Sequence, residues 1–273
     1  MENLRNENDI GRKEILVVSF GTTFKETRIK TIGAIEDAVE KAFGDYSVRR
    51  AFTSRFIRSR LADRDGIIID SPGEALERAK ANGVKELIIQ PTHLMAGKEY
   101  HKLTETIDEY AGDFESISLG CPLLDSDEDF ITAARAIRKE LPLKDDKTAI
   151  VLMGHGTDAP SNSVYEKLQE VLNKSGADAY YIATVEGTPT IRDILKRISG
   201  YSNILLAPFM VVAGDHAIND LAGEKEDSWK NILLNSGQGF NVETVLRGIG
   251  EWKDIQELFV KHIEKAELFK AVK

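Results

Sequence analysis

Two stretches of this chain are written twice, and that duplication limits the possible folds more than any other feature. "LVVSFGT" (16–22) recurs as "VLMGHGT" (151–157), with residue 21 matching residue 156, 135 positions on. "IIQPTHLMAGKEY" (88–100) recurs as "LLAPFMVVAGDHA" (205–217), with residue 97 matching residue 214, 117 positions on. Short apolar runs separate longer amphipathic segments throughout. "EILVVSF", "YSVRRAF", "KELIIQP" and "SISLGCP" read as strands in the first half. "TAIVLMG", "AYYIATV", "NILLAPFMVVA" and "NVETVLR" read as strands in the second. Helical periodicity lies between them at 24–43, 72–82, 98–111, 127–141, 162–174, 190–199 and 252–270. Ser71 before Pro72 marks one helix start, and Thr23 with Glu26 offers a capping box at another. Strand and helix in alternation, with strands apolar on both sides, predict parallel sheets covered by helices. The expectation is α/β: a disordered extension over 1–12, one four-strand lobe over 13–145 and a second over 146–273, joined near "ELPLKDDK".

Composition narrows the functional classes. A net charge of -9 argues against nucleic acid, whose phosphates need a basic surface. No run approaches a membrane span, and the polar "MENLRNENDIGRK" start has no apolar core of a signal peptide, so no membrane and a cytoplasmic location are expected. The single Cys121 permits no intrachain disulfide and reads as a small buried filler. "RRAFTSRFIRSRLADR" gathers six arginines in sixteen residues, which taken alone reads as a solvated face.

In open α/β sheets ligands bind beyond the carboxyl ends of the strands. Four landmark loops sit there and carry His155, Glu186, His216 and Glu99. A single histidine in "GHG" reads as a turn residue, and Asp215 alone as a helix cap. Imidazole and carboxylate at equivalent strand ends instead suit a divalent first-row metal. "GHGTDAP" lacks a dinucleotide fingerprint, and neither a P-loop lysine nor a nucleophile elbow occurs. His93 reads as a packed wall residue with a minor ligand role open, while His101 and His262 read as surface or boundary positions.

"LVVSFGTTF", "RRAFTSRFIRSRL", "RDGIIIDSPGEAL", "GCPLL", "MGHG", "TVEG" and "VAGDHAINDLAGEKEDSWK" closely resemble the anaerobic cobalt chelatases, single-chain sirohydrochlorin cobaltochelatases of the CbiK type. The resemblance runs from about residue 13 to the last helix. It implies the chelatase fold, two similar lobes with a tetrapyrrole cleft, and a lyase of anaerobic cobalamin biosynthesis that inserts Co²⁺ into sirohydrochlorin. His155, Glu186 and His216 are implied as metal ligands, His155, His216 and Glu99 as catalytic groups. An anionic ring needs local cations, which makes Arg55 and Arg58 candidate clamps for its carboxylates. No cofactor beyond the inserted Co²⁺ is expected. An iron or nickel chelatase, a non-catalytic carrier and a homo-oligomer all stay open at this point.

Overall fold

The computed structural model describes residues 2–5 and 11–270. They fall into two compact units, one within Met1–Asp125 and Gln256–Lys273, the other Ser126–Ile255.

In the first unit the chain runs β1 (Lys13–Ser19), α1 (Lys25–Arg28), a π-helical turn (Ile29–Gly33), α2 (Ala34–Ala42), β2 (Ser47–Phe52), α3 (Arg55–Asp65), α4 (Pro72–Ala81), β3 (Glu86–Pro91), α5 (Lys98–Tyr110) and β4 (Ser116–Leu119). Strand periodicity sorts its core into two layers. Leu16 and Val18 pack with Ala75, Leu76, Leu103 and Ile107 of α4 and α5. Ile15 and Val17 face the other way, toward Val39 of α2. Ser71 caps α4 in a full capping box with Glu74, and Pro72 occupies the first turn. The expected box of Thr23 and Glu26 does not form: Phe24 takes the N-cap position, and Thr22 Oγ1 accepts its N–H at 3.2 Å.

The second unit repeats the scheme with α6 (Asp127–Glu140), β5 (Thr148–Gly154), α7 (Ser163–Lys174), β6 (Tyr180–Thr184), α8 (Ile191–Ile198), β7 (Asn203–Pro208), α9 (Trp229–Leu234) and β8 (Asn241–Thr244). The parallel strand orders correspond: β2-β1-β3-β4 in one sheet, β6-β5-β7-β8 in the other. Registers correspond too, Lys13 pairing with Glu86 where Thr148 pairs with Asn203. These are the positions the offsets of 135 and 117 exchange. The inner face of the second sheet, Ala149, Val151 and Met153, packs on Ile191, Ile194, Trp229 and Leu233.

Three boundaries differ from the sequence reading. The division falls at Asp125, not at 145, because α6 packs with the second unit: Lys167 Nζ of α7 reaches Asp127 at 2.7 Å and sits 4.3 Å over the Phe130 ring. "ELPLKDDK" is therefore an internal connection. At the other end, α10 (Lys253–Glu264) carries Ile263 into the core of Ile15, Val17 and Val48, and β9 (Glu267–Leu268) pairs antiparallel with β4. The first sheet thus has five strands.

The expected frayed start is the third correction. Among the described residues of that segment, Glu2 binds Arg28 Nε at 2.6 Å and Arg50 Nη1 at 3.0 Å, while Arg5 reaches Glu36 at 3.2 Å and Asp37 at 2.6 Å. Arg28, Arg50 and Glu36 are buried, so this is internal charge pairing. Residues 1 and 6–10 lie outside the described residues. His262 is also buried, edge-on to Phe259 at 6.3 Å. Cys121 is half-buried.

Candidate metal centre

His155, Glu186 and His216 lie beyond the carboxyl ends of three adjacent strands of the second sheet, one residue after β5, two after β6 and eight after β7. β5 is flanked by β6 and β7. The β5–β6 ladder continues past the strands: Val185 N donates to Gly154 O at 3.1 Å and Glu186 N to His155 O at 2.8 Å. Two glycines let the loops approach this closely. Gly156 has φ +80°, and a Cβ there would lie 2.6 Å from Thr184 Cβ and 2.7 Å from Gly187 N. A Cβ at Gly187 would lie 2.5 Å from Asn162 Oδ1. Asn162 ties the loops together, accepting from Thr157 N at 3.0 Å and donating to Thr188 O at 2.7 Å.

His216 opens a π-helical turn, His216–Leu221, and Asp220, four residues on, meets its imidazole. His216 Nδ1 and Asp220 Oδ2 are 2.5 Å apart, which leaves Nε2 free. A carboxylate behind a histidine fixes its ring and raises its basicity as a ligand. The His155 and His216 rings lie 4.7 Å apart, and His155 Nε2 is 3.6 Å from Glu186 Oε2.

One ligand atom from each of the three residues lies within 4.8 Å of the others, and among the described residues no other group of histidine, cysteine and carboxylates gathers so. Metal–ligand bonds of about 2.0–2.2 Å need these atoms to close by about an ångström onto an ion. Burial pushes the His155 pKa down and the neighbouring His216 adds to this, against the pull of Glu186 and Asp220. The imidazole is therefore the neutral, ligating form to lower pH than an ordinary histidine.

Glu99 lies in the first turn of α5, the place in the first unit that His216 holds in the second. Burial pushes its carboxyl up, but the Thr53 hydroxyl beside it and Lys102 at 3.1 Å outweigh that, holding it below the usual carboxylate range. The arginine segment divides into unlike parts. Arg49 and Arg50 belong to β2 and are buried, Arg58 binds Glu74 at 3.0 Å, and Arg64 binds Asp65 at 2.6 Å. Arg55 is exposed in the first turn of α3, with no ion-pair partner among the described residues. Asp220 and Asn162 were not legible as site residues. The i,i+4 spacing in "HAIND" was the one available signal for Asp220.

A family profile described as cobalt chelatase (CbiK) matches residues 13–267. The sirohydrochlorin cobaltochelatase of Salmonella typhimurium is 36% identical over 93% of this chain and 96% of its own length. The sirohydrochlorin cobaltochelatase CbiKC of Nitratidesulfovibrio vulgaris is 31% identical over 93% of this chain and 90% of its own. Among solved structures, SirB from Bacillus subtilis with Fe³⁺ superposes with a TM-score of 0.65 over 93% of this chain and 94% of that one, at 12% identity. That likeness establishes the chelatase fold.

Proposed function

The chain belongs to the cobalt chelatase (CbiK) family, and on that premise we propose that it inserts Co²⁺ into sirohydrochlorin. The observation that carries the residue assignment is the trio itself: two imidazoles and a carboxylate at three adjacent strand ends, with ligand atoms within 4.8 Å. Co²⁺ is a substrate, so its holding site must bind it and then release it.

The reaction makes three demands. The ion must lose water, the ring must present nitrogen lone pairs, and two pyrrole N–H protons must leave. His155, Glu186 and His216 replace part of the water shell. Three protein donors leave coordination positions open for the incoming nitrogens, in contrast to the closed four-ligand set of a structural site. His155 and Glu186 are exposed and His216 is half-buried, which favours a hand-over site above a storage site. Asp220 holds His216 by Nδ1, so Nε2 is the ligating atom.

Proton removal needs other groups as long as the metal occupies the imidazole lone pairs. Glu99, held as a carboxylate, is the acceptor we assign. For the ring carboxylates, Arg55 is the available clamp, whereas Arg58 is committed to Glu74.

Titrating Co²⁺ into the protein without air tests the trio. Glu186→Gln and His216→Ala should each weaken binding by at least about 10-fold while the protein stays folded. Unchanged affinity in both variants places the metal elsewhere.

A further inference from the structure

The two copies build the same frame at their strand ends and fill it differently. The offsets of 135 and 117 set Phe20 opposite His155 and Glu99 opposite His216. The ladders repeat the first match and add a third. Thr53 N donates to Ser19 O at 2.9 Å and Ser54 N to Phe20 O at 3.2 Å, just as Val185 N donates to Gly154 O and Glu186 N to His155 O. Ser54 therefore stands where Glu186 does. The glycine that follows is matched as well: Gly21 has φ +99°, and a Cβ there would lie 2.6 Å from Cδ2 of the buried Phe52. The loop lies tight on Phe52 and leaves Phe20 outside, 53% exposed.

Where the second copy has imidazole, carboxylate and imidazole, the first has an aromatic ring, a hydroxyl and a carboxylate. That set does not suit a first-row metal. The Ser54 hydroxyl is already engaged, accepting from Ile57 N at 3.3 Å as the cap of α3. His93, two residues after β3, offers no ligand atom either, because both its ring nitrogens are buried. What the frame presents instead is apolar surface, for Phe56 in the first turn of α3 is 74% exposed. A single exposed apolar side chain is ordinary on a protein surface. One held out by a tight loop, at the position equivalent to a metal ligand, is not. Arg55, exposed between Ser54 and Phe56 in the chain, adds a cation beside it. A flat apolar face with an anionic rim is the ligand that such a surface fits.

We propose that Phe20 is the ring-face contact of the substrate, the conjugated macrocycle of sirohydrochlorin lying against its side chain with rim carboxylates toward Arg55. The proposal rests on the chelatase reading above. One copy of the frame then holds the metal and the other holds the ring. An aromatic side chain suits this task because it offers a large rigid face and only two χ angles to fix.

Phe20→Ala, Phe20→Tyr and Ile131→Ala of the full chain test this. Ile131 is the control, an apolar side chain 51% exposed on α6 and away from any strand end. Thermal unfolding, Co²⁺ affinity, sirohydrochlorin affinity by fluorescence quenching and steady-state insertion are measured on the same preparations. Phe20→Ala should stay folded, bind Co²⁺ as the wild type does and bind sirohydrochlorin about 10-fold more weakly, the loss expected on removing one aromatic side chain from a buried contact. KM should rise in step while kcat holds, because the contact is the same in ground state and transition state. Phe20→Tyr keeps the ring face and should retain wild-type affinity, as should Ile131→Ala. Unchanged sirohydrochlorin affinity in Phe20→Ala, a fall in its Co²⁺ affinity, or a loss of ring binding in Phe20→Tyr or Ile131→Ala as large as in Phe20→Ala overturns the proposal. Wild-type protein that binds no sirohydrochlorin and inserts no cobalt refutes the chelatase reading itself, a result distinct from a Phe20→Ala variant that binds the ring as the wild type does.

Discussion

Replacing Glu2 by Ala tests whether the start of the chain is part of the first unit's core. Glu2 is the only acidic partner that Arg28 has among the described ion pairs, through Nε at 2.6 Å and Nη2 at 2.7 Å. Arg28 is fully buried, and what it keeps is the Thr22 carbonyl at 3.0 Å. Arg50 also touches Glu2 at 3.0 Å, but it retains Glu36 at 2.6 Å and 2.8 Å. The cost therefore concentrates on Arg28. Removing one partner of a buried pair costs about 3–5 kcal/mol. Arg5 keeps Glu36 and Asp37, so only Glu2 itself is freed, which returns about 1–2 kcal/mol of chain entropy as water reaches the guanidinium. A net loss of about 2 kcal/mol remains. Trp229 and Trp252 both lie in the second unit, so their fluorescence is the wrong probe. Native-state hydrogen exchange of the β1 and β2 amides reads the first unit directly, and the opening free energy there should fall by about 2 kcal/mol. Protection unchanged within about 0.5 kcal/mol refutes the docking of this segment and restores the frayed tail that composition suggested.

Three further outcomes follow from the geometry. Asp220→Ala should weaken Co²⁺ binding by about 10- to 100-fold with little change in thermal stability, and calorimetry at neutral pH checks it; intact affinity means His216 needs no carboxylate behind it. Arg55→Ala should weaken sirohydrochlorin binding more than Arg58→Ala, because Arg58 already has Glu74, and a reversed order in a quenching titration contradicts the assignment. Burial pushes the Glu14 carboxyl up to about 7, against the pull of Arg78 and Arg49, so between pH 4.5 and 7 the folded state binds more protons than the unfolded one. Its contribution is full below pH 4.5 and is lost as pH rises to 7, by about 3 kcal/mol. Relative to wild type, Glu14→Gln should therefore gain stability from pH 5 to pH 8, and a difference that does not vary with pH counts against it.

The chain's sequence discloses the sheets for a physical reason: strands buried on both faces must be apolar throughout, and the residue that ends such a run stands out. His155, Glu186 and His216 were each visible in this way, and the strand order β6-β5-β7 makes them neighbours. What joins them was less legible. Asp220 meets His216 at i,i+4, a spacing that pairs side chains only where the chain is helical, and the helical patterns of the sequence did not include 216–221. The division of the chain was misplaced because α6 precedes the connection at "ELPLKDDK" yet packs against α7 of the second unit, a tertiary contact that its own periodicity does not encode. Arg49 and Arg50 counted toward a basic face until β2 took them inside, to partners 14 and 48 residues away for Arg50. Pairings at such separations leave no periodic trace.

The central claim is catalytic insertion of Co²⁺ by a site built on two histidines. Sirohydrochlorin and Co²⁺ in excess over a small amount of protein, without air, give an absorption change proportional to metallated ring. The account predicts many equivalents of cobalt-sirohydrochlorin per chain, and near-background rates for His155→Ala, His216→Ala and the double variant, the double little worse than either single change and all three still folded. Product that stops at one equivalent, or a double variant that turns over like the wild type, contradicts it.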